Sequence, residues 1–176
     1  MKTVNVPDTF STEAMKLRWI DGVPMLYFPH LEETGLIRQA FSTKLGGVSS
    51  GQFESMNFSV ELGDTSENVA ANFGIMAKAL GITPDRFVLT RQTHTTNLRV
   101  IREEDAGMGV TRERSYTDID GIMTDVPGLV LSASFADCIP LYFLDPVHRV
   151  VALSHSGWKG TVGRIGAKTV RKMGEV

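Results

Sequence analysis

Cysteine is almost missing from this 176-residue chain: Cys138 stands alone. That excludes an intrachain disulfide and fits a reducing compartment. Charge of one sign is missing too. The net charge is −2, which offers neither nucleic acid nor a membrane surface an electrostatic footprint. No apolar run approaches the length of a membrane span. The opening residues, MKTVNVPDTFSTEAMKLRW, lack the apolar core and cleavage pattern of a leader. The cytoplasm is therefore the expected location. Repeats and low-complexity segments are absent, and so are the Walker and Rossmann glycine spacings. What remains is an ordinary globular composition, 42% apolar and 22% charged. It can support one domain, residues 1–176, with a sizeable core.

The most informative stretch is Gly128 to Gly160, GLVLSASFADCIPLYFLDPVHRVVALSHSGWKG. It contains three short apolar runs of strand length, Leu129–Ser134, Leu141–Leu144 and Val150–Leu153. Asp145-Pro146 separates the last two, which read as a hairpin. If Leu144 faces Arg149, Cys138 falls opposite His155 at the open end. Directly opposed Cβ atoms lie roughly 5 Å apart, which suits two ligands of one metal, or a thiol and its base. A slip of one residue would separate them. A lone buried cysteine is more often packing. The surroundings here, Ala-Asp-Cys and His-Ser-Gly-Trp-Lys-Gly, are poor core material.

Upstream, Val23–Phe28 and Gly35–Ser42 read as strands. Residues Met1 to Asp21 are mixed and give no clear element. The loop Thr43-Lys44-Leu45-Gly46-Gly47-Val48-Ser49-Ser50-Gly51 could present backbone N–H groups to an anion, or be a plain surface turn. Asp64-Thr65-Ser66-Glu67 looks like a capped helix start. Val69, Phe73, Met76, Ala77 and Leu80 follow at helical spacing, and Gly81 closes the helix. Phe87–Thr90 and Leu98–Ile101 read as strands around a polar loop that holds His94. Residues Arg102 to Thr117 show no periodicity and read as a long mobile loop. Asp120 and Asp137 are candidate general acids. After Gly160 the pattern turns helical, with Thr161 as cap and Val162, Ile165, Thr169, Val170 and Met173 as a stripe. Its N-terminus and Lys159 would form an anion site beside Cys138 and His155. The same field would lower the thiol pKa.

Several motifs, taken in order, resemble the laccase-domain family. They are Gln92-Thr93-His94, Asp120-Gly121-Ile122-Met123-Thr124-Asp125, Ala136-Asp137-Cys138-Ile139-Pro140 and His155-Ser156-Gly157-Trp158-Lys159-Gly160-Thr161. The upstream Ser42–Ser49 segment and Ser55-Met56-Asn57-Phe58 are similar to its N-terminal signature. That family was named for multicopper polyphenol oxidase activity and is associated with purine nucleoside phosphorylase and adenosine deaminase activity. The resemblance implies an α/β (α+β) fold of mixed sheets with flanking helices, similar to the cysteine-hydrolase-like fold. It implies a metal and catalytic site of His94, Cys138 and His155. It places substrate and phosphate binding at Lys44, Gly46, Gly47, Asn57, Lys159 and Thr161. Lys44 and Lys159 stand where Arg is usual. Family members continue well beyond a position equivalent to Val176. The chain is therefore expected to be incomplete at its C-terminus and able to self-associate through an uncovered edge.

Two imidazoles and one thiolate leave zinc a fourth position for water or substrate, the arrangement of a catalytic site. The family resemblance implies zinc-dependent phosphorolysis of a purine nucleoside, with deamination of adenosine at the same site as a companion. Purine nucleoside and phosphate are the expected partners. Copper-dependent phenol oxidation is the rival, but His30, His94, His148 and His155 are few ligands for several coppers. A metal-free hydrolase with Cys138 as nucleophile and His155 as base is a further alternative, and an inactive binding fragment is another.

Overall fold

The structure is a computed structural model that describes residues 12–176. The leader reading of the N-terminus falls largely outside them. The chain divides into two compact units, Met1–Ala79 and Leu80–Val176.

In the first unit, β1 (Lys16–Ile20), β2 (Val23–Tyr27) and β3 (Phe41–Ser42) form an antiparallel sheet in that order. Asp21-Gly22 makes the β1–β2 turn, with both residues at positive φ. β1 arises where the sequence pattern offered no element. The strand expected over Gly35–Ser42 shrinks to β3, and α1 (Pro29–Glu32) precedes it. α2 (Ser66–Leu80) buries Val69, Phe73, Met76 and Ala77, as its spacing predicts. Its cap lies one residue later than expected. The Asn68 N–H donates to Thr65 Oγ1 at 3.1 Å, and the Thr65 carbonyl accepts the first helical bond. Asp64 stands outside the cap and accepts from the Thr65 N–H and the Asn68 amide.

In the second unit, β4 (Phe87–Leu89) pairs in parallel with β7 (Val130–Ser132). β5 (Leu98–Val100), β6 (Gly121–Thr124), β8 (Ile139–Asp145) and β9 (Val150–Ser156) form a mixed sheet in the order β5-β6-β9-β8. One face of this sheet carries α4 (Ile165–Met173), which follows α3 (Trp158–Val162). There Met173 packs with Met123, Val150 and Ala152. On the other face Ile122 packs with Val88, Ile101, Met108 and Leu129. Side chains alternate along a strand. Ser154 meets Thr169 on the helix face at 2.8 Å, so His155 points to the opposite face. The central strand β9 is buried along most of its length, whereas β8 is one of the sheet's two outer strands.

Three expectations change here. The β8–β9 hairpin pairs Leu144 with Val151 and Pro140 with His155, two residues away from the anticipated register. The turn holds residues 146–149, and Arg149 adopts positive φ to close it. The segment over 102–117 is built rather than loose. Asp105 is buried and bonds the Arg99 guanidinium at 2.8 Å. Arg112 donates to the carbonyls of Glu104 and Ala106, and Arg114 to that of Thr90. The Tyr116 hydroxyl donates to Leu89 O at 2.6 Å. The final helix is interrupted at Gly163-Arg164, where Arg164 has φ 60. Ile165, Thr169 and Met173 are buried as the stripe requires, but Val162 and Val170 are exposed.

Candidate metal centre

His94, Cys138 and His155 converge, with one ligand atom of each lying within 4.8 Å of the others. His155 comes from the end of β9 and is 4% exposed. Cys138 precedes β8 and is half-buried, and His94 sits in the exposed turn between β4 and β5. Cys138 Sγ lies 3.9 Å from His94 Nε2. The two imidazoles meet edge to face with centroids 4.9 Å apart, and Phe135 lies against the His155 ring at 5.7 Å. The hairpin slip does not break this cluster. A shift of two residues keeps Cys138 on the His155 face, one step beyond Pro140, whereas a shift of one would have moved it to the other face.

Gly157 allows the convergence. A Cβ there would stand 2.9 Å from His94 Cδ2, 3.0 Å from Cys138 Sγ and 3.7 Å from His155 Cε1. No side chain fits at the point where the three ligands meet.

Asp120 contacts both histidines, the backbone of one and the ring of the other. It is fully buried. Its Oδ1 accepts from the His94 N–H at 3.0 Å and faces His155 Nδ1 at 2.8 Å. Its Oδ2 accepts from the N–H groups of Thr93 and Thr95 and from the Thr95 hydroxyl, at 3.1, 2.8 and 2.8 Å. Successive N–H groups converging on one anion form a nest, and His94 takes φ 63 to complete it. Asp118 braces the same turn, accepting from Thr93 Oγ1 at 2.8 Å and from Asn97 Nδ2 at 2.9 Å. Burial pushes the Asp120 carboxyl up. The hydrogen bonds from His155, Thr95 and Thr93 outweigh it and hold the group below the ordinary carboxylate range. A carboxylate this fully engaged is no general acid, which removes Asp120 from that role.

The thiol also departs from expectation. Burial, then the negative charge of Asp137 beside it, push Cys138 above its usual range. α3 is five residues long and offers too short a dipole to reverse this. A raised thiol pKa disfavours a free thiolate nucleophile. A cation at the cluster reverses the balance, because a coordinating thiol is deprotonated outright.

The donor set fits zinc. One thiolate and two imidazoles are zinc ligand types, and the thiolate–imidazole separation is close to the roughly 3.6 Å edge implied by zinc bond lengths in a tetrahedron. With its Nδ1 turned to Asp120, His155 has Nε2 left for a metal.

The expected phosphate-binding residues fare less uniformly. Lys44 and Lys159 are exposed, and Lys159 Nζ lies 5.7 Å over the Trp158 ring. The Gly46-Gly47 loop is packed from within. The N–H groups of Gly47, Val48 and Ser49 donate to Ser55 Oγ, Asn72 Oδ1 and Ser55 O. A Cβ on Gly47 would come within 2.1 Å of Ser55 O. Gly47 thus serves a close backbone approach rather than an anion cradle. The Asn57 amide donates to Ser59 O and Asp64 Oδ2. Thr161 is interior to α3 and not its cap. Its hydroxyl bonds Gly157 O at 3.0 Å and meets Ser156 Oγ at 2.9 Å. Lys44, Gly46, Gly47 and Asn57 belong to the first unit, and the three convergent ligands to the second.

Residues 38–176 match the family described as multi-copper polyphenol oxidoreductase laccase. A purine nucleoside phosphorylase of Deinococcus radiodurans is 36% identical over 152 residues, which cover 86% of this chain and 54% of that protein. Adenosine deaminase RL5, from an unknown prokaryotic organism, is 34% identical over 137 residues, covering 77% of this chain and 52% of its own. The crystal structure of the Bacillus licheniformis hypothetical protein YfiH superposes with a TM-score of 0.73 at 30% identity, over 94% of this chain and 58% of that one. The chain thus spans about half the length of the curated relatives it matches. No helix among the described residues is long and apolar enough to cross a membrane.

Proposed function

Because the chain belongs to the multi-copper polyphenol oxidoreductase laccase family, we propose that it supplies the zinc centre of a purine nucleoside phosphorylase. The observation that carries this reading is the convergence of His94, Cys138 and His155 within 4.8 Å. Held by His94, Cys138 and His155, zinc would supply a Lewis acid to the substrate. The chain's own residues do the rest. Asp120 orients His155 and fixes the turn that bears His94. Gly157 leaves room at the meeting point. Lys159 is exposed on α3, which starts one residue past Gly157. We assign it to phosphate as a point charge without the bidentate reach of Arg. Purine nucleoside is the substrate class that the phosphorylase relatives' names support.

A second reading, deamination of adenosine at the same centre, has the relative named adenosine deaminase RL5 in its favour. Phosphate separates the two, since only phosphorolysis consumes it. Two measurements test the proposal. Elemental analysis should find zinc in the wild-type chain and lose it in Cys138→Ser. Incubation with inosine should release hypoxanthine and ribose 1-phosphate only when phosphate is present. His94→Ala should abolish turnover, and Lys159→Ala should mainly raise the phosphate requirement. Equal release of hypoxanthine without phosphate would reject phosphorolysis, and a wild-type chain that takes up no zinc would reject the centre.

A further inference from the structure

We infer that Asp120 is the positioning residue that sets both imidazole ligands at once, one through its ring and the other through its backbone. This deepens the zinc reading above and rests on it for the identity of the metal.

Two geometries meet at one buried carboxylate. On the His155 side the clamp has two points. The His155 N–H donates to the Asp120 carbonyl at 2.7 Å, and His155 Nδ1 lies 2.8 Å from Asp120 Oδ1. An ionised carboxylate only accepts. The proton of this contact therefore sits on His155 Nδ1, and Nε2 carries the free lone pair. The Phe135 ring beside the imidazole limits the ring's turning. On the His94 side Asp120 bonds the backbone N–H. It gathers the N–H groups of Thr93, His94 and Thr95. That gathering stabilises the left-handed backbone of His94, which a non-glycine residue does not adopt readily. Without it, His94 would relax to negative φ and its ring would swing off the cluster. Oδ1 is shared between the two sides, so the two ligands are not positioned independently.

Asp120→Asn is nearly isosteric but replaces an acceptor with an NH2 donor, which must then face either the nest or the His155 ring. Nitrogen-detected NMR of the metal-free, full 176-residue chain reads the first half of the inference. Wild type should show His155 protonated at Nδ1 and bare at Nε2, and Asp120→Asn should shift the proton toward Nε2. Amide hydrogen exchange reads the second half: Thr93, His94 and Thr95 should be protected in wild type and exchange faster in the variant. Competition with a zinc chelator should show about 10–100-fold weaker zinc binding by the variant. If the variant does not fold, the wild-type tautomer and amide protection decide alone. A wild-type His155 protonated at Nε2, unprotected turn amides, or a folded Asp120→Asn that keeps wild-type tautomer and zinc affinity would each overturn the inference. A wild-type chain that binds no zinc yet shows Nδ1–H and protected turn amides would defeat the metal reading and still uphold Asp120 as the orienting group.

Discussion

A methyl group at residue 157 would stand 2.9 Å from His94 Cδ2 and 3.0 Å from Cys138 Sγ. Both neighbours would have to give way together. Gly157→Ala is therefore expected to cost about 1–3 kcal/mol of stability as overpacking and to weaken zinc binding in the same variant. Thermal unfolding with and without zinc would measure both. Loss of stability with unchanged zinc affinity would mean that the ligands do not meet at Gly157. At this scale the sequence was informative about identity but not about office. His94, Cys138 and His155 stood out through the motifs that carried them. Asp120 stood out too, but as an acid, because the groups that neutralise that role come from residues 25 to 35 positions away. No local pattern records such distant donors. Gly157 had no mark of its own, since its importance lies in atoms that are missing.

Elements were legible where periodicity was strong. The apolar stripe of α2 and the central strand β9 follow their patterns closely. The hairpin slipped because its turn took residues 146–149, and the count of turn residues sets register. The segment over 102–117 was opaque for another reason. Arginine and tyrosine side chains hold it by bonding backbone carbonyls, and these contacts have no period. The break between α3 and α4 likewise depends on one residue, Arg164, which is exposed in the left-handed region at φ 60 and ψ 44. That conformation costs a non-glycine residue roughly 1–2 kcal/mol. Glycine would remove the strain but enlarge the freedom of the unfolded chain by about 0.4–1 kcal/mol. Arg164→Gly is thus expected to stabilise by up to about 1 kcal/mol net. Chemical denaturation would detect this, and a destabilised variant would show that the side chain carries weight the backbone argument omits.

Across the second unit as a whole, two phenols report on alkaline stability. Burial pushes Tyr142 up to about 12. Burial, then the charge of Asp105, push Tyr116 to about 12 as well, against the opposing charges of Arg114 and Arg99. An unfolded tyrosine ionises near pH 10. Each group favours the folded chain fully below that value, and the advantage falls as pH rises toward about 12. Stability should therefore decline through this window, with tyrosinate absorbance appearing together with unfolding. Tyr142→Phe should flatten part of the decline. Early ionisation of both phenols with the fold intact would contradict the burial. At the level of the fold class, the sequence pointed to mixed sheets with flanking helices, and the chain has them. Among the described residues β8 is paired along one side only, and Ile139 at its start is 59% exposed.

The three ligands differ in how firmly the fold grips them. His155 lies in a central strand, and His94 in a turn fastened by two aspartates. Cys138 follows the exposed pair Ala136-Asp137, between Ser134, bonded to Gln92, and the start of β8. Exchange of a bound ion should therefore be stepwise, with the sulfur arm letting go before either nitrogen. Chelator-driven release would then be faster at lower pH, where a dissociated thiolate is captured by a proton before it can rebind. The exposed Ala136-Asp137 link, more than the strength of the two nitrogen bonds, would set the residence time of the metal.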